Sequence, residues 1–254
     1  MKSLVKVSII TVSLNSEHTI RQCIDSVLNQ TYKNIEYIII DGMSSDKTIK
    51  IIDSYRSKLY KFVSEKDEGL YDAMNKGIKL ATGDIVGILN SDDEYFNENV
   101  IENIVEAFSN KEADSLYGDL CFVDPNNTRN VKRFWKSSEF KHGSFKKGWH
   151  PPHPTFFVKK DIYNKYGLFD TNLRISADFD LMLRFLEKHK ISTTYFPSTL
   201  VRMKIGGEST KSLKNIWISN KSILQSFDKN GIQINKFFYV FKRLLLKILQ
   251  ITFR

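Results

Sequence analysis

Residues 84–96 read DIVGILNSDDEYF, a short apolar run that breaks into two adjacent acids. An apolar run of this length, bounded by polar turn residues, is a strand buried on both faces. A helix is expected after it over 98–108, where Ile101, Ile104, Val105 and Phe108 share one face. The same unit recurs three times upstream. VKVSIITVS (5–13) leads into 17–29, with Ile20, Ile24, Val27 and Leu28 at helical spacing. IEYIII (35–40) runs through the polar loop DGMSSDKT into a helix around 47–57. YKFVS (60–64) precedes DEGLYDAMNKGIKLA, where Leu70, Met74, Ile78 and Leu80 fit one helical face. Such alternation means βαβ units with right-handed crossovers, an α/β fold around a mainly parallel sheet.

Sheets of this kind take ligands outside the carboxyl ends of their strands. Here those ends are residues 11–15, Asp41, 65–67 and 90–93, three of the four carrying carboxylates. Loops after buried strands are often polar, so the pattern also has a purely structural reading. Across 114–158 the chain alternates and turns aromatic, and PNN reads as the turn of an antiparallel hairpin. Pro151, Pro152 and Pro154 hold the next segment extended. A short helix near 159–166, stopped by Gly167, and a strong one at 177–190 follow. The expected body spans 1–205, divided into halves at 1–110 and 111–205, with a helical tail over 206–254.

Charge sharpens that boundary. The chain has 254 residues with 38 basic and 29 acidic side chains, a net of +9. Residues 211–254 hold nine of the bases and one acid, Asp228, so the tail carries +8 and the rest +1. A nucleic-acid groove spread over the body is thereby disfavoured, and no nucleic-acid partner is expected. Cys23 and Cys121 are far apart without histidines at ligand spacing, against a disulfide scaffold or zinc cluster. The N-terminus lacks the apolar stretch of a signal peptide, and no run approaches the ~18–20 apolar residues of a membrane span. A cytoplasmic protein is the expectation.

Neither a dinucleotide fingerprint nor a P-loop occurs, so any phosphate is held by other means. Asp92 and Asp93 offer hard oxygens of the kind that hold Mg²⁺ or Mn²⁺ while substrate phosphates complete the shell. Alternatively, Ser91 to Asp93 cap the following helix. In ISADFDLMLRF (175–185), Asp178 and Asp180 open an amphipathic helix, where two acids suit the positive helix end. At i and i+2 they point roughly 200° apart, so they cannot share one task.

The ordered set VSIITVSLN, IEYIIIDGMSSDKT, SEKDEGLYDAMNKGIKLATGD, IVGILNSDDEYF and HPTFF…GLFD…ADFDLMLRF resembles the family 2 glycosyltransferases. It is similar to the small bacterial members that build capsule, exopolysaccharide or O-antigen units, over roughly residues 5–205. The resemblance implies a GT-A-type, Rossmann-like nucleotide-binding fold. It also implies inverting transfer of a hexose or N-acetylhexosamine from a nucleoside diphosphate sugar, UDP-linked for preference. Carried over by position, Thr11 lies against the base or ribose and Asp41 accepts from the base. Asn15, Lys66, Asp67 and Ser91 line the nucleotide pocket; Asp92, then Asp93, hold the metal; Asp178 is the general base. The family's usual Asp is Asn90 here and its usual Glu is Ala177, which leaves less charge for the metal and places the base on Asp178.

Other residues have two readings. Lys76 reaches phosphate or pairs with Asp72 at i+4. His150 and His153 flank the proline cluster where an acceptor enters, His153 being favoured; Asp180 is a further acceptor candidate. Trp135 and Trp149 stack on sugars or pack in the core. Residues 234–254 form a basic amphipathic helix suited to an anionic membrane surface, with body packing or self-association as alternatives. The implied acceptor is a carbohydrate or polyprenyl-linked sugar, and the implied location is peripheral on the inner membrane face. A non-catalytic glycan- or nucleotide-binding module and a sugar nucleotidyltransferase are the rival functions. Mere binding needs no base, and a nucleotidyltransferase wants a Gly-rich basic loop where this chain has VSLNSEHT.

Overall fold

The computed structural model describes residues 4–206, 212–240 and 242. The four apolar runs form β1 (Val7–Ser13), β2 (Ile35–Asp41), β3 (Lys61–Ser64) and β4 (Ile85–Asn90). They pair in parallel in the order β3-β2-β1-β4, from Val7 opposite Ile35 and Ile85 to Ser13 opposite Asp41. The intervening helices are α1 (Ile20–Leu28), α2 (Thr48–Asp53) and α3 (Leu70–Leu80). A two-residue β5 (Glu94–Tyr95) precedes α4 (Val100–Lys111).

The strands show near-continuous burial because each face has its own core. Ile9, Ile39 and Leu89 pack with α1 and α4, whereas Ile10, Ile38 and Ile88 pack with α3. Gly77 lets α3 lie directly on Ile10, where any Cβ would collide. Leu70 departs from the expected helical face: it opens α3 in solvent, while Met74 and Ile78 are buried.

The second half extends the sheet with antiparallel strands. β6 (Ser115–Asp124) and β7 (Asn127–Trp135) form the expected hairpin. β8 (Phe157–Lys159) joins β4 to β6, and α5 (Lys160–Tyr166) ends at Gly167. A strand that the sequence does not announce, β9 (Thr193–Lys204), runs parallel to β6 and antiparallel to β5. Pro197 falls where the β6–β9 register skips, a position that tolerates a missing N–H. The helix expected over 177–190 is α6 (Ala177–Leu183) followed by a π turn, Arg184–Lys188.

The expected tail begins as body. α7 (Leu213–Lys229) packs on α6, with Phe227 and Ile223 buried and Phe179 against Phe227 at 5.6 Å. Most of the basic helix of 234–254 lies outside the described residues; 236–240 are helical, with Tyr239 buried on Phe227.

Candidate active site

The loops after β1 to β4 meet at one edge and brace each other. Asp41, wholly buried, accepts from Ser13 Oγ at 3.0 Å, Ser44 N at 2.9 Å, Ser44 Oγ at 2.5 Å and Ser64 Oγ at 2.9 Å. Asp41 therefore joins three strand ends, a bracing role that the expected base contact did not include. Asn15, in the left-handed region at φ 49°, accepts from Ser45 N at 2.9 Å. Ser16 and Ser91 share a hydroxyl contact at 2.8 Å that ties the first loop to the fourth. Thr11, expected against the base or ribose, is instead buried below this edge, 3.0 Å from the Tyr37 hydroxyl and 3.6 Å from Cys23 Sγ. A strand residue inside the sheet points into a helix layer, and Thr11 points at α1.

Asp67 lies under Gly42, where a Cβ would stand 2.9 Å from Asp67 Oδ2. Lys76 reaches Asp67 at 2.7 Å, Glu65 at 3.0 Å and Asp72 at 3.2 Å, and donates to the Lys66 carbonyl. Desolvation works against its charge, but the hydrogen bonds to these three carboxylates hold the ammonium above its ordinary value. Of the two readings for Lys76, the structure displays the pairing, extended from Asp72 to Asp67 and Glu65. The Lys66 side chain is exposed beside this cluster.

The SDD segment divides by exposure: Asp92 is exposed, whereas Asp93 and Ser91 are buried. Burial, then the charge of Asp92, pushes the Asp93 carboxyl well above the usual carboxylate range. Asn90 Nδ2 donates to Asp93 Oδ2 at 3.2 Å, which leaves Asn90 Oδ1 and Asp93 Oδ1 buried without a hydrogen-bond partner among the described residues. Buried polar atoms are rarely left so. Two orphaned oxygens beside a free carboxylate suit a hard divalent cation. Among the described residues no three His, Cys, Asp or Glu side chains gather as a metal site, so ligand oxygens would have to complete the shell.

Across the edge, Asp178 opens α6 half-buried and accepts from the Tyr71 hydroxyl at 3.1 Å. Ser176 turns the chain into this helix at φ 70°. Tyr71 stacks on Phe169 at 5.5 Å, and Asn75 grips that residue's backbone from both sides at 2.9 Å. His153 meets Phe169 edge-on at 5.7 Å; burial lowers its imidazole below the ordinary value, opposed by the charge of Asp178.

Asp180 is a correction. It is fully buried, accepts from Asn230 Nδ2 at 3.0 Å and faces Arg184 at 3.5 Å, so it anchors α7 and meets no acceptor. Trp149 packs among Tyr117, Phe140 and Phe145, and Trp135 stacks on Phe122, so core packing is the outcome for both. Tyr71 and Asn75 are the site residues missed from sequence; both lie in YDAMNKG, whose apolar spacing drew attention away from its polar positions.

The model of Glycosyl transferase family 2 matches residues 8–167. An uncharacterized glycosyltransferase of Rickettsia typhi is 32% identical over 222 residues, which cover 80% of this chain and 65% of the relative. This chain thus spans just under two thirds of that relative's length. S. aureus TarS in complex with UDP-GlcNAc superposes with a TM-score of 0.68 at 18% identity, covering 94% of this chain and 70% of that one. A mannosyltransferase from Pyrobaculum calidifontis, in complex with GDP-Man and Mn²⁺, gives 0.65 at 19% identity, covering 90% and 64%. The two structures share the fold, a GT-A-type α/β architecture, and the match over 8–167 carries the assignment: the chain belongs to glycosyl transferase family 2.

Proposed function

We propose that this chain is an inverting glycosyltransferase moving a hexose or N-acetylhexosamine from a nucleoside diphosphate sugar, UDP-linked for preference, to an acceptor hydroxyl. The observation that carries the reading is that α3 serves both walls of the crevice. Its Lys76 fastens Asp67 at the nucleotide edge, and its Tyr71 fastens Asp178 on the opposite wall. A binding module needs no such tethered carboxylate.

An acceptor hydroxyl is a poor nucleophile until a base takes its proton. Tyr71 occupies Asp178 Oδ1, which leaves the other oxygen to accept that proton. The acceptor oxygen bonds to the anomeric carbon as the bond to the diphosphate breaks on the opposite face, so configuration inverts. Asp92, with the orphaned oxygens of Asp93 and Asn90, would hold Mg²⁺ or Mn²⁺. When bound, the cation supplies Lewis-acid neutralisation of the leaving diphosphate. Asn15, Ser91 and Lys66 border the donor. His153 borders the acceptor, which we read as a carbohydrate or polyprenyl-linked sugar in surface polysaccharide synthesis. Exposed Phe237 and Phe238 support a peripheral position through 234–254 on an anionic membrane. No helix among the described residues is long and apolar enough to cross one.

A panel of nucleoside diphosphate sugars, assayed for nucleoside diphosphate release with and without EDTA, tests the reading. Release from one donor that EDTA abolishes and Mn²⁺ or Mg²⁺ restores is expected. No release from any donor, with lipid-linked and soluble acceptors supplied, would sink it.

A further inference from the structure

The near-neutral body conceals a local imbalance. Residues 125–150 carry seven basic side chains and one acid, Glu139. They comprise β7, which pairs with β6 beside the main strand path, and the loop after it. The outward positions Lys132, Phe134 and Lys136 are all exposed, Phe134 at 53%. Lys141, Lys146 and Lys147 are exposed on the loop. Lys132 pairs with Asp124 at 3.2 Å, whereas Lys136, Lys146 and Lys147 have no carboxylate partner among the described residues.

The inner side of the same segment is joined to the helix that carries the base. Trp135 meets the His150 ring at 5.4 Å, and His150 meets Phe179 at 5.5 Å. Phe145, between Lys141 and Lys146 in the chain, meets Phe179 at 5.3 Å. Phe179 directly follows Asp178, so patch and base share one aromatic layer.

We infer that this face docks on an anionic lipid bilayer, with Phe134 among the head groups and the lysines over lipid phosphates. The cations are spread along a strand and a loop and do not converge in a cavity, as a soluble phosphate would require. An exposed aromatic between two lysines matches the interface, where an apolar body and a charged rim are satisfied together. The patch belongs to a different stretch of the chain from 234–254, and docking would bring α6 to the membrane.

Co-sedimentation of the full chain with phosphatidylcholine vesicles, with and without phosphatidylglycerol, tests this without donor or acceptor. Its failure is therefore distinct from failure of the catalytic reading. Lys136→Gln/Lys146→Gln/Lys147→Gln should weaken partitioning into phosphatidylglycerol vesicles about 100-fold at low salt. Phe134→Ser should weaken it about tenfold while keeping the salt dependence. Because these positions are exposed, native circular dichroism is expected; if the triple variant does not fold, Phe134→Ser decides. Unchanged partitioning in the patch variants overturns the inference, as does equal binding to pure phosphatidylcholine. So does displacement by inorganic pyrophosphate at constant ionic strength. Loss confined to Lys242→Gln/Arg243→Gln/Lys247→Gln would give the membrane to the tail and overturn it as well.

Discussion

On the wall proposed for the nucleotide, four strand ends are cross-braced by hydroxyls and carboxylates: Ser13, Ser44 and Ser64 on Asp41, Ser16 on Ser91, Lys76 on Asp67. On the wall proposed for the acceptor, α6 is propped by rings, with Phe145, His150 and Phe227 around Phe179. The first wall fixes polar groups by local bonds between neighbouring loops. The second leaves one carboxylate, Asp178, half-buried above an apolar layer, with one hydroxyl contact, from Tyr71 of α3, among the described residues. A hydrogen-bonded rim preorganises a charged ligand, and a lone carboxylate over packed rings keeps its proton-accepting oxygen free.

Two acids on one turn break the comparison open. Asp178→Asn removes the proposed base and is expected to lower transfer about 10²–10⁴-fold, the usual worth of general base catalysis. Nucleotide binding by calorimetry and the thermal midpoint should stay near wild type. Asp180→Ala is expected to act in reverse. It strips Asn230 and Arg184 of a buried partner and should cost about 3 kcal/mol in denaturant melts. A stable Asp180→Ala protein would show that the Phe179–Phe227 packing and the Ser176–Ser219 contact suffice to hold α7.

The nucleotide wall has its own test. Asp41→Asn places an amide nitrogen among hydroxyl and N–H donors, with no solvent to relieve it. A loss of about 1–3 kcal/mol is expected, and donor affinity should fall with it because three strand ends loosen together. Unaltered stability would mean that the serines find other acceptors and that Asp41 is not the brace.

How much of this was readable from sequence follows the same division. The parallel strands were legible because burial on both faces leaves unbroken apolar runs, and their acid-bearing ends fall at the edge that topology dictates. β9 was not, since Pro197 interrupts a mixed run whose pairing depends on a register skip opposite β6. Asp178 was reached by resemblance, and periodicity separated it from Asp180 without saying which faced inward. The partner that decides it, Asn230, is 50 residues away. Thr11 reads in sequence like the edge residues around it although its hydroxyl turns to Tyr37 and Cys23, and nothing near Asp41 in the chain announces Ser13 and Ser64 as its partners. Trp149 was open for a similar reason, its ring partners coming from separate segments.

Among the described residues the Tyr71 hydroxyl bridges to Asp178 from 107 positions earlier in the chain. Tyr71→Phe keeps the stack on Phe169 and removes that bond. Transfer is expected to fall about tenfold in kcat, the scale of one hydrogen bond to a charged group, while KM for the donor stays put. A fall in donor affinity instead would place Tyr71 on the nucleotide wall.

The smallest effect belongs to His153, and its sign follows from its surroundings. Burial lowers its pKa in the fold below the ordinary 6.5, even with Asp178 raising it. The unfolded chain therefore binds a proton more readily than the folded one once pH drops below about 6.5. Stability from this residue is intact above that value and is lost as pH falls through it. His189, lowered by burial and by Lys188, Arg184 and Lys165, adds in the same direction. The lowered carboxylates Asp72 and Asp170 lose their contributions only at more acidic pH. His153→Gln should thus melt with a shallower pH dependence than wild type between neutral pH and the carboxylate range, the difference cancelling every other group. Parallel curves would mean that the imidazole takes up its proton as easily in the fold as outside it, and that the acceptor wall beside Phe169 is open to water.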